Sequence, residues 1–162
     1  NLHLSLERLA SFQESIRQHG LEPLPHAVGD AAWSCESGYH AMRELLGRGP
    51  TPTGVFASND RLAIGAMHAI SEAGLRIPDD VSIVGVDDIE FAPYQTPPLT
   101  TVRQSLIDVA TLATKILLDL IQGRDPERAR VVFEPQLVAR RSTAPPPTNP
   151  ATVSKEVSRS TT

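Results

Sequence analysis

Two apolar segments that end on short polar side chains frame a helical pattern, and this arrangement constrains the chain more than any other. The first runs from Thr53 to Ala57 and stops on Ser58, Asn59 and Asp60; the second, Ser82 to Val86, stops on Asp87 and Asp88. Between them Leu62, Ala66, Met67, Ile70 and Ala73 recur at helical spacing, and Gly74 follows. That spacing marks one apolar helix face, and a glycine just past it suits a left-handed turn. Strand, helix and strand in this order make a crossover unit with parallel strands. Both strands read as apolar on both faces, as in a parallel sheet covered by helices. Ligands of such sheets bind beyond the carboxyl ends of the strands. The two polar pairs are therefore expected on one rim.

The rest of the chain alternates in the same way. Leu6, Leu9, Phe12 and Ile16 predict a helix over 5–19, with Ser5 as its cap. Residues 24–28 form a candidate strand weakened by Pro23 and Pro25. Ser34 is placed to cap a helix carrying Tyr39, Met42, Leu45 and Leu46, which "GRGPTPTG" ends. Residues 89–98 are expected to be irregular, because Pro93, Pro97 and Pro98 fit neither a helix interior nor a central strand. A short strand over 100–102, a long helix over 105–122 and an extended segment over 131–138 complete the pattern. From Ala144 the composition turns to Pro, Ser and Thr, and a disordered tail over 144–162 is expected.

Composition bounds the class. A chain of 162 residues, 40% hydrophobic and 21% charged, is expected to be one soluble domain of ordinary size. No apolar run approaches the ~20 residues of a membrane span. A net charge of -4, without a Lys/Arg block, leaves no basic footprint for nucleic acid. The single cysteine, Cys35, cannot form an internal disulfide and fits a reducing compartment. No second cysteine and no well-placed histidine suggests a metal or a Cys–His dyad, so neither a metal nor a cofactor is expected. No nucleophile elbow, P-loop or dinucleotide fingerprint occurs, and His40 and His68 lack partners at a catalytic spacing.

The rim residues differ in what they offer. Asp60 directly precedes a helix and is expected to cap it. Asn59, one residue earlier, is then free to turn two donors and an acceptor toward a cleft. One of Asp87 and Asp88 is expected to hold the following loop through backbone N–H groups, leaving the other for a ligand. Trp33, the sole tryptophan, could stack on a sugar ring or planar base, though tryptophan ordinarily packs. The planar fork of Arg8 suits carboxylate, phosphate or vicinal hydroxyls, and an unliganded surface arginine fits equally well.

The stretches "ERLASFQESIRQHG" (7–20), "WSCESGYHAMRELL" (33–46), "PTGVFASNDRLAIGAMHAISEAGLRIPDDVSIVGVDDI" (52–89), "YQTPPLTTVRQ" (94–104) and "LVARRST" (137–143) resemble the lac/galactose repressor family of bacterial transcriptional regulators. The resemblance covers about residues 5–143 and implies a periplasmic-binding-protein-like α/β core. It implies a dimer that senses a small sugar or nucleobase effector in a cleft and reads operator DNA through a separate headpiece. It implies a cytoplasmic, non-enzymatic protein. Carried over residue by residue, it implies that Arg8, Trp33, Asn59, Asp87 and Gln104 bind the effector. Ser11 stands where the family usually has glycine. The family's headpiece, first lobe and the strand before Arg8 have no counterpart in these residues. The expectation is therefore a second lobe truncated at its N-terminus, over 1–143, with 105–122 as a crossover helix of the first lobe. An open edge beside 53–57 or an exposed apolar face on 105–122 should then be visible. The dimer interface is expected on helices 34–47 and 61–73 and the loop near Tyr94, without a coiled-coil tetramer. The rival readings are a periplasmic sugar-binding protein of the same fold and an α/β enzyme holding a metal on Asp87 and Asp88.

Overall fold

The computed structural model describes residues 2–22, with side chains from Leu6, and residues 32–125 and 131–147. The elements are α1 (Leu2–Gln18), α2 (Cys35–Arg48), β1 (Gly54–Phe56), α3 (Asp60–Glu72), β2 (Ser82–Asp87), β3 (Thr100–Arg103), α4 (Leu106–Ile121) and β4 (Gln136–Val138). A 3-10 turn at Ala92–Tyr94 lies in the proline-rich stretch. The expected strand at 24–28 falls outside the described residues. The final extended segment is shorter than the expected 131–138, because only Gln136–Val138 pairs.

The sheet order is β1-β2-β3-β4. β1 and β2 run parallel, as do β2 and β3, while β4 is antiparallel to β3. Among the described residues β1 pairs on one side only. The carboxyl ends of β1, β2 and β3 therefore share one edge, which carries Ser58–Asn59, Asp87–Asp88 and Arg103–Gln104.

One face of the sheet is covered by α2 and α3. Ala63, Ala66, Met67 and Ile70 of α3, with Met42 of α2, bury against Val81, Ile83 and Leu99. The two helices approach closely because both carry glycine at the crossing. A Cβ on Gly38 would lie 2.2 Å from the Leu62 carbonyl oxygen, and one on Gly65 would lie 1.8 Å from that of Cys35. On the other face Phe12 of α1 stacks on Phe56 of β1, with ring centroids 5.3 Å apart.

Ser34 caps α2 as expected, accepting the amide of Ser37 at 3.1 Å. The segment after β4 also ties the sheet together. Buried Ser142 donates to the Ile83 carbonyl at 2.7 Å and accepts the Thr100 amide at 2.8 Å, so it spans β2 and β3. Ala144, the first residue of the expected tail, is tied to the sheet, since its amide and carbonyl both bond the Ser82 hydroxyl; residues 148–162 of that expectation lie outside the described residues. α4 has no buried residue; Leu106, Ile107, Leu117, Leu120 and Ile121 are all exposed.

Candidate functional site

The polar groups at the carboxyl edge form a connected series. Arg8 reaches over from α1 and donates through Nη1 to the carbonyl of Ser58, just past β1. Its guanidinium carbon sits 5.5 Å from the centroid of the Trp33 ring, a cation–π distance. Its charge also acts on Asp87 at the end of β2. The Gln104 amide, just past β3, donates to Asp87 Oδ1 at 2.8 Å. Aromatic face, cation, carboxylate and amide thus come from four separate parts of the chain and meet at one edge. Burial pushes the Asp87 carboxyl above the usual aspartate range, and the Arg8 charge and the Gln104 bond oppose that rise.

Asn59 takes the capping part that the sequence assigned to Asp60, and Asp60 turns inward to the sheet. Asn59 is the cap: its Oδ1 accepts the Leu62 amide at 2.7 Å, and the residue is only 3% exposed. The cap must have extended backbone with its side chain folded over the first turn. Asn59 has it, at φ -153° and ψ 169°, while Asp60 is already helical. Asn59 therefore keeps only its Nδ2 donors for a ligand, and it joins the series through its neighbour Ser58 rather than by contact with Asp87.

Asp60 is wholly buried and faces the sheet. It accepts the Thr101 hydroxyl at 2.5 Å and the Ile89 amide at 2.9 Å. Thus it is Asp60, not Asp87 or Asp88, that accepts a backbone N–H of the loop after β2. Gly85 makes room for it, since a Cβ there would lie 2.2 Å from Asp60 Oδ1. Burial raises the Asp60 pKa; the bonds from Thr101 and Ile89 oppose the rise, and the charges of Asp87 and Asp88 add to it.

Asp88 is held by two arginines. Arg103 Nε donates to Oδ2 at 2.7 Å, and Arg140 Nη2 donates to Oδ1 at 2.6 Å. Burial alone would raise its pKa, but the bonds and charges of Arg140 and Arg103 outweigh burial and lower it. Two cations on Asp88 leave the metal-on-aspartates reading without a donor pair. Among the described residues no group of three or more His, Cys, Asp or Glu could hold a metal.

Sequence reasoning missed Arg103, Arg140 and Thr101. Arg103 adjoins Gln104 in "TTVRQ", so proximity hinted at it. Arg140 lies 52 positions from Asp88, and no local spacing links them.

The chain matches the family model described as "Periplasmic binding protein-like domain" over residues 2–143, and it belongs to that family. Within it, its relatives are repressors of the lac/galactose type. It is 38% identical over 135 residues to the HTH-type transcriptional repressor PurR of Pasteurella multocida, covering 83% of this chain and 40% of that protein. A sugar-binding transcriptional regulator of the LacI family from Escherichia coli, solved with phosphate, superposes with a TM-score of 0.77 at 34% identity, covering 88% of this chain and 51% of that one. The lac repressor dimer bound to operator and the anti-inducer ONPF gives a TM-score of 0.77 at 35% identity, covering 84% and 46%. The chain therefore spans about half the length of these relatives or less.

Proposed function

We propose that this chain is the effector-sensing part of a lac/galactose-repressor-type transcriptional regulator. The observation that carries this is the joined series Trp33–Arg8–Asp87–Gln104 at the carboxyl edge of the parallel sheet. With the Asn59 amide beside it, this edge offers an aromatic face, fixed donors and a carboxylate, which suit a small polyhydroxylated effector of the sugar class or a nucleobase. The regulator works as a cytoplasmic homodimer and meets operator DNA through a headpiece outside these residues. α4 acts as the crossover helix toward a first lobe, and its exposed apolar side chains fit that role. The repressor relatives support this over a periplasmic transport protein and over an enzyme.

Calorimetric titration of the intact regulator with a panel of monosaccharides and nucleobases tests the reading. Asp87→Ala should weaken the binding compound by about 1–3 kcal/mol, the range for a charged hydrogen bond. Unchanged affinity would remove Asp87 from the site.

A further inference from the structure

Among the described residues, Asp87 and Asp88 are the non-glycine residues with positive φ, at 116° and 56°. Such backbone persists only where the surroundings hold it. Here the surroundings grip residue 88 much more firmly than residue 87. The Asp88 carboxylate takes Arg103 on one oxygen and Arg140 on the other, at 2.6 Å each through Nη2. Arg140 is itself anchored, with Nη1 donating to the Leu99 carbonyl at 2.8 Å and its amide to the Thr100 hydroxyl at 2.9 Å. The amides of residues 88 and 89 go to the Thr101 hydroxyl at 3.4 Å and to Asp60 at 2.9 Å. The Asp87 carboxylate, by contrast, has a single hydrogen bond among the described residues, from Gln104.

The two rungs between β2 and β3 are offset. Asp87 pairs with Arg103 in the strand register, yet Arg103 bonds Asp88, and Asp87 bonds Gln104. The adjacent carboxylates are thereby separated in role: one is neutralised by two guanidiniums, and the other is left toward the edge.

We propose that Arg140, acting through Asp88 together with Arg103, is a positioning residue that holds the Asp87 backbone at positive φ and aims its carboxylate along the ligand edge. Its consequence for binding rests on the reading of Asp87 as an effector contact.

The test uses the intact regulator with two variants, Arg140→Gln and Asp88→Asn. Asparagine tolerates the left-handed region well, so Asp88→Asn weakens the clamp without penalising the residue-88 backbone. The readout is the three-bond amide coupling of Asp87 in aspartate-labelled protein, small at φ 116° and large in an extended strand. Both variants should raise it. A coupling unchanged in both overturns the proposal, whether or not a ligand binds. In parallel, D-galactose and D-ribose are titrated. For the sugar that binds, each clamp variant should lose about tenfold in affinity, the size of one oriented hydrogen bond, and lose nothing further in an Asp87→Asn background. Losses that multiply in that background would make Arg140 merely structural and also overturn the proposal. If Asp87→Asn alone binds normally while the coupling still moves in the clamp variants, the positioning stands and the effector role of Asp87 falls.

Discussion

The hydroxyl of Thr101 donates to the buried carboxylate of Asp60 at 2.5 Å, joining the first turn of α3 to β3. Burial raises the folded-state pKa of Asp60 above its unfolded value. Its contribution to stability is therefore complete below the unfolded pKa and declines as pH rises through the folded one. Thr101→Val removes a bond that favours the carboxylate, so the folded pKa rises further and the decline deepens. The variant should lose about 1–3 kcal/mol at neutral pH and less below the ordinary aspartate pKa. Urea denaturation of the intact protein at the two pH values checks this; an equal loss at both would show that the Thr101 bond does not favour the carboxylate over the protonated acid.

The meeting of α2 and α3 tolerates no side chain at Gly65, because the obstructing atom is backbone, the Cys35 carbonyl. Gly65→Ala should destabilise by about 3 kcal/mol, at the upper end of overpacking costs. Gly47→Ala is the control: it lies in α2, and a Cβ there meets nothing within 4 Å. It should stabilise by about 0.5–1 kcal/mol. Thermal melts of the pair give opposite signs if the helix crossing is as described.

Asp87 has a backbone geometry that glycine adopts without strain, at φ 116°. Asp87→Gly should therefore be about 1 kcal/mol more stable than Asp87→Ala, which loses the same Gln104 bond but keeps a Cβ at positive φ. The same change should weaken effector binding by about 1–3 kcal/mol, as for Asp87→Ala, since it removes the same carboxylate. Thermal melts in which Asp87→Gly is no more stable than Asp87→Ala would mean that residue 87 is not strained.

The exposed face of α4 includes Ile107 at 82% and Ile121 at 71%. Apolar surface of this extent marks an interaction site or an aggregation liability. Expressed alone, the 162-residue chain should bind a hydrophobic dye and self-associate. Ile107→Lys with Ile121→Lys should reduce both. A monodisperse, dye-silent wild-type chain would show that this face is covered.

The alternation of helices and strands from α2 onward, the Ser34 cap of α2 and the common edge of the polar pairs were legible in the sequence. They follow from local rules: periodicity, capping chemistry and the parallel order that a crossover imposes. Asn59 and Asp60 show where such rules stop. Both residue types cap helices, and which one does is settled by where the backbone turns helical and by what the other side chain can reach. Asp60 reaches Thr101, 41 positions away, across the sheet. The division between Asp87 and Asp88 was equally hidden, because it depends on Arg140 arriving from beyond β4. Residue patterns report interactions within a turn or a strand. The choice between two adjacent, chemically alike side chains is made by partners that only folding brings within hydrogen-bond range.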